Sequence, residues 1–141
     1  MGKVETYKAL QQAVAANDVD EMRAHMAADF VLHEPPALPF GGDFLGAEGY
    51  LDLIGRLQSY FELELLSSKM TEAREDLLLC ELAIRFTSRR TGESEDMKLV
   101  DLYHYDAEGK ICRVDGFYMD PDMIAAMALG HPRPQRPAPA A

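Results

Sequence analysis

Two carboxylates make the strongest case for chemistry in this sequence. Asp101 stands in the run Met97, Leu99, Asp101, Tyr103, Tyr105, the alternate positions of a strand pattern whose other members are apolar or aromatic. If that face is buried, desolvation disfavours the charged acid and raises its pKa, so that a neutral carboxylic acid donates a hydrogen bond. Glu34 shares a strand face with Phe30 and Leu32 and is followed by Pro35 and Pro36. A carboxylate at a strand end beside a Pro/Gly-rich loop is placed to face a cavity mouth. The structural alternatives are a rim glutamate in water and an Asp101 that is exposed or paired with an arginine. Two carboxyls in different environments divide into base and acid: an ionised Glu34 takes a proton while a protonated Asp101 donates a hydrogen bond.

Other chemistries lack their residues. His33 and His104 fall on the strand faces opposite Glu34 and Asp101, His25 lies in a helix and His131 in the tail. No histidine or cysteine spacing matches a metal site, and no metal or other cofactor is expected. Gly41-Gly42 lacks a phosphate-binding motif, and there is no G-x-S-x-G elbow. Cys80 and Cys112 lie in strand patterns and are expected to be reduced core thiols.

The elements that must position the two acids are readable from periodicity. Val4, Tyr7, Leu10 and Val14 predict a first helix over residues 4–16, and Asp18 with Glu21 predicts a capped second helix. A strand follows over 29–34, then a Pro/Gly loop over 35–46, then a third helix over 46–61 carrying Tyr50, Leu53, Ile54 and Leu57. From Glu62 the period becomes two, predicting strands over 62–71, 76–89, 94–105 and 110–119, with a hairpin turn at Asp106 to Gly109. Asp120-Pro121 opens a last helix to about Leu129, and residues 130–141 read as a disordered proline-rich tail. Residues 1–129 then form a single α+β domain, helices on one face of a curved antiparallel meander that encloses a pocket.

The chain has 141 residues, 48% hydrophobic and 27% charged, enough for one core without disulfides. Its net charge of −10 disfavours a phosphate backbone or an anionic membrane face, so no nucleic-acid or membrane partner is expected. No apolar run approaches the roughly 18 residues of a membrane span, and residues 1–16 lack a secretory stretch, so the expected compartment is the cytoplasm.

The order of these pieces resembles the NTF2-like superfamily, which includes ketosteroid isomerases, SnoaL-like polyketide cyclases and limonene epoxide hydrolases. The resemblance is carried by Asn17-Asp18-Val19-Asp20, by Ala28 to Pro35, by Gly46, and by Val100-Asp101-Leu102-Tyr103-His104-Tyr105 before Gly109-Lys110-Ile111. It implies a cystatin-like/NTF2-like cone with three N-terminal-side helices. It also implies that Glu34, just before a proline at a strand end, is the general base, and that Asp101, nine residues before Lys110, is a protonated donor. The isomerases' second donor, a tyrosine on the first helix, is replaced at the matching position by Leu10, with Tyr7 one turn earlier. The loop from His33 to Gly42, followed by Phe44-Leu45-Gly46, resembles the SnoaL-like branch.

Three functions stay open on this reading. The first is a cofactor-free isomerase or cyclase that moves protons next to a carbonyl of a small hydrophobic substrate, with Leu10, Phe40, Met97, Tyr103, Val114 and Tyr118 lining its pocket. The second is a non-catalytic small-ligand or interaction module of the same fold. The third is an epoxide hydrolase or dehydratase; epoxide hydrolysis would need Asp115 turned inward by a bulge at Gly116. Under each, the resemblance implies a homodimer, and the strand through Leu77, Leu79 and Ala83, apolar on both faces, gives the dimer a surface to bury.

Overall fold

The computed structural model describes residues 1–135. Helix α1 (Lys3–Ala15) ends where Asn17 takes a left-handed φ of 55°, a conformation its short polar side chain tolerates. Asp18 then caps α2 (Val19–His25), its carboxylate accepting from the Glu21 N–H at 3.1 Å. Strand β1 (Met26–Glu34) leads through a turn into β2 (Gly42–Leu45) and α3 (Gly46–Tyr60). Four long strands follow: β3 (Phe61–Arg74), β4 (Leu77–Ser88), β5 (Ser94–Tyr105) and β6 (Ile111–Tyr118). Helix α4 (Pro121–Leu129) is capped by Asp120, which accepts from the Met123 N–H, and closes at Gly130 in the left-handed region.

One six-stranded sheet runs in the order β2-β1-β6-β5-β4-β3. Two features depart from the expected meander. Within the loop predicted for 35–46, the four residues of β2 form an edge strand paired antiparallel to β1. Only Phe44 of the four is buried, so the segment is too short and too one-sided to show alternation. The second departure is that β1 pairs with β6 in parallel, joining Leu32 to Val114 and His33 to Asp115, while the other neighbours are antiparallel.

Helices α1, α2 and α3 cover the inner face around Leu10, Met22, Phe30, Leu78, Ile111 and Val114. The β5–β6 register slips between His104 and Tyr105, which pair with Arg113 and Ile111 and leave Cys112 out. That bulge turns both Ile111 and Val114 inward, although strict alternation would separate them. Phe61 heads β3 rather than ending α3, and packs edge-on to Phe86 at 5.1 Å. Beyond α4, Arg133 pairs with Glu93 at 2.6 Å and Glu95 at 2.8 Å. Residues 136–141 of the tail expected to be disordered from Gly130 lie outside the described residues. Among the described residues no helix is long and apolar enough to cross a membrane.

Candidate active site

Glu34 and Asp101 reach the interior from the two strands that flank β6. Asp101 of β5 is registered directly opposite Gly116. Glu34 ends β1, whose parallel register against β6 carries it to the same level. A Cβ on Gly116 would stand 2.9 Å from Glu34 Oε1 and 3.3 Å from Asp101 Oδ1. The two carboxylates thus meet over a residue that presents no side chain. Gly116 does not bulge the strand; its role is close approach, the other reading of a glycine inside a strand.

Both acids line a cavity of about 190 Å³. Leu53, Ile54 and Leu57 of α3 face Leu82, Ile84 and Phe86 of β4 across it. Burial disfavours the ionised carboxyls and is the only marked influence on Asp101, pushing it up to about 7. Burial and the charge of Asp101 push Glu34 up to about 8, and the neighbouring Tyr118 hydroxyl pulls it back. Glu34 Oε2 is buried without a hydrogen-bond partner among the described residues.

A second polar group lies on the same cavity wall. Gln11 Nε2 donates to the hydroxyls of Tyr50 and Tyr103, each at 3.1 Å, and those two oxygens stand 3.4 Å apart. Tyr7 packs edge-on against the Tyr103 ring at 4.9 Å. Burial holds all three phenols above their usual pKa, so they remain neutral donors at physiological pH. Cys80, opposite Asp101 on β4, is a buried free thiol pushed up to about 12, so it is protonated and unreactive.

Of the residues singled out from the sequence, Glu34, Asp101, Tyr103, Val114 and Tyr118 line this cavity together. Leu10, Phe40 and Met97 do not. Leu10 is fully buried in the core, and its helix presents Tyr7 and Gln11, one turn apart, to the cavity instead. Phe40 is enclosed against Tyr60 and Phe61. Met97, on the inner face of β5 opposite Ile84, is buried in the core and does not line the cavity. Asp115 faces outward, bonded to His104 at 3.0 Å and Arg113 at 3.1 Å, so it cannot join the two inner acids in activating a water. His33 is likewise outside the cavity, paired with Asp43 at 2.5 Å.

Sequence reasoning missed Gln11, Tyr50 and Gly116 as site residues. Tyr50 was visible only as one member of an apolar helix stripe, and Gln11 as a polar residue beside one. Gly116, a lone glycine within a strand between Val114 and Tyr118, was the detectable signal. Among the described residues no group of three or more His, Cys, Asp or Glu is placed to hold a metal ion.

Helices packed on one face of a curved six-stranded sheet are the α+β architecture of NTF2-like proteins. The structure is similar to an NTF2-like protein from Burkholderia xenovorans LB400 (TM-score 0.79, 16% identity, covering 89% of this chain and 95% of that one). It is also similar to a protein from Xanthomonas campestris pv. campestris named as a candidate polyketide cyclase (TM-score 0.67, 18% identity, 89% and 96% covered). A third similar structure is that of TerC co-crystallised with polyporic acid (TM-score 0.68, 18% identity, 82% and 90% covered). At these identities the likeness is one of fold. Residues 7–114 match the SnoaL-like domain, and the chain belongs to that family. No curated protein matches the chain.

Proposed function

We propose that this protein is a cofactor-free enzyme of the isomerase or cyclase type, moving a proton next to a carbonyl group. The observation that carries the proposal is the convergence of Glu34 and Asp101 over Gly116 inside an apolar cavity. Two carboxylates so close cannot both ionise cheaply, so the pair holds one proton near neutrality. Part of the rise at Glu34 comes from charge on Asp101 and vanishes once Asp101 is protonated, while Tyr118 favours the Glu34 anion. Nothing comparable favours the Asp101 anion, so the proton belongs on Asp101 although Glu34 is pushed the higher of the two.

In this state Glu34 takes the proton from the carbon beside the carbonyl. The C–H electron pair becomes the enolate double bond, and the carbonyl oxygen gains the negative charge. Asp101 donates a hydrogen bond to that oxygen. Glu34 then returns its proton, to the same carbon as simple exchange or to another as isomerisation. In a cyclisation the enolate carbon instead bonds to the carbon of a second carbonyl, whose π pair moves to its oxygen, and that oxygen takes the proton from Glu34. The test is deuterium uptake at the α-carbon of an enolisable ketone in D₂O, read by proton NMR. Uptake faster than in buffer, and lost in Glu34→Gln, supports the reading; equal rates for wild type and variant end it.

The second reading, a non-catalytic ligand-binding module, is favoured by one observation: Leu10 sits in the core where the resemblance calls for a donor. Under either reading a second copy of the chain is assigned to the outer sheet face. Phe117 (54% exposed) and Met119 (75% exposed) stand out from that side of the molecule, level with Val100 and Lys98.

A further inference from the structure

We infer that the gap between α1 and β3 is the mouth of the cavity and a binding subsite of its own: it holds the anionic end of an amphipathic ligand at Lys8 while the ligand's uncharged part fills the inner cavity. From the proton-transfer reading it takes only that the inner cavity holds a ligand.

The inner face of β3 is laid bare. Leu63, Leu65, Ser68 and Met70 stand opposite Phe86, Ile84, Leu82 and Cys80, the residues that β4 turns towards the helices. Directly opposed residues share a face of the sheet. The register slip after Leu65 leaves Leu66 out and returns Ser68 to that face. A leucine on the helix side of a sheet belongs in the core, yet Leu63 is 41% and Leu65 59% exposed. Helices α1 and α3 therefore do not close over this strand.

The bare strand continues the cavity outward. Leu63 lines the inner cavity, and Leu65, the next residue on its face, lines a second hollow with Ser68 and Met70. Tyr7 and Gln11 of α1 line both. Each is only partly buried, so the two side chains form the threshold between inner cavity and outer hollow.

Charge separates the two compartments. The inner cavity carries two carboxyls and, among the described residues, no Lys, Arg or His. An anion there would be buried without a counter-charge. The outer hollow has the opposite make-up: among the described residues no Asp or Glu lines it, and Lys8 does. The chain has 24 acidic and 14 basic residues, so a wall with one cation and no acid goes against the overall balance. Arg74, Arg85 and Arg89, at the same edge of the sheet, are each held by a carboxylate, whereas Lys8 makes no ion pair among the described residues. Gln12 and Ser68 add hydrogen-bond donors, and Leu65 and Met70 give the hollow an apolar floor. This combination fits a short apolar chain that ends in a carboxylate. Such a ligand binds in one orientation only, because its charge is refused inside and met at the mouth. Lys8 is then a specificity-determining residue.

NMR titration of the full chain, with methyl-labelled methionine, tests this with a phenyl-terminated hexanoate and its uncharged amide. The hexanoate should bind and move the Met70 methyl signal. Lys8→Gln should weaken it by about two- to fivefold, the size of an exposed ion pair, and leave the amide unchanged. Lys8→Glu should weaken it by about tenfold, because reversal adds a repulsion of similar size. Lys69→Gln removes the same charge from the outer face of β3, opposite Glu81, and should change neither affinity. The inference is overturned if the hexanoate does not bind at millimolar concentration or leaves Met70 unmoved. It is also overturned if Lys8→Gln affects acid and amide alike, or if Lys69→Gln has the same effect as Lys8→Gln. A protein that holds the hexanoate at Lys8 but exchanges no ketone proton sinks the proton-transfer reading alone. An exchanging enzyme whose mouth ignores charge sinks this inference alone.

Discussion

Glu34 and Asp101 come from strands at opposite ends of the chain, yet their carboxylate oxygens flank the position that a side chain at Gly116 would fill. The absence of a Cβ there is what lets the two acids approach the same point. Gly116→Ala should therefore push the carboxylates apart. We expect the α-proton exchange rate to fall by about 100-fold, the size seen when a single preorganised catalytic group is misplaced, while circular dichroism stays native. Unchanged exchange would mean that the two acids do not act as a unit.

The two acids should differ when each is neutralised. Glu34→Gln removes the base and should cost about 10³-fold in exchange rate. Asp101→Asn keeps a donor of similar shape and should cost about 10-fold to 100-fold. Parallel rate measurements on the two variants check this, and a larger loss at Asp101 would exchange their roles.

Activity should peak where the pair carries one proton. Below that range the pair takes a second proton and has no base; above it the pair loses its last proton and has no donor. Both groups are raised by burial, to about 8 and about 7, so the optimum lies near neutrality rather than in the usual carboxylate range of about 4. A rate profile still level from neutrality down to pH 4 would contradict the raised values.

Stability should run against pH in the same window. Each carboxyl holds its proton more tightly folded than unfolded, so the unfolded state binds fewer protons between the ordinary carboxylate pKa and the raised one. Their contribution to stability is then fully present below about pH 4 and declines as pH rises towards 7 or 8. Glu34→Gln should flatten that slope and stabilise the protein at pH 8 by on the order of 2 kcal/mol. Urea denaturation of wild type and variant at pH 5 and pH 8 makes the comparison.

The outer face gives a prediction independent of the cavity. Phe117→Asp should shift a dimer towards monomer at micromolar concentration, read by light scattering, because the charge would be buried at the contact. A wild-type chain that is already monomeric would remove the assignment.

Local order was legible wherever a residue's surroundings follow from its neighbours in the chain. Helix spacing placed the helices, and the Asp18 cap behaves as its motif predicts. Period-two alternation turned Asp101 inward with Leu99 and Tyr103, and Pro35 ended β1 directly after Glu34. Rotation of α1 about its own axis was not legible. Leu10, Tyr7 and Gln11 all lie near one edge of that helix, and only packing against α3 and β5 decides that Leu10 fills the core while Gln11 meets Tyr50 and Tyr103. Nor was the pairing of β1 with β6, since backbone hydrogen bonds between distant segments carry no residue code. That parallel register is what brings Glu34 and Asp101 to one glycine: the sequence by itself determined two acids on inward or strand-end positions, and the tertiary structure decided that they meet, because strand order and register arise from the packing of the whole sheet.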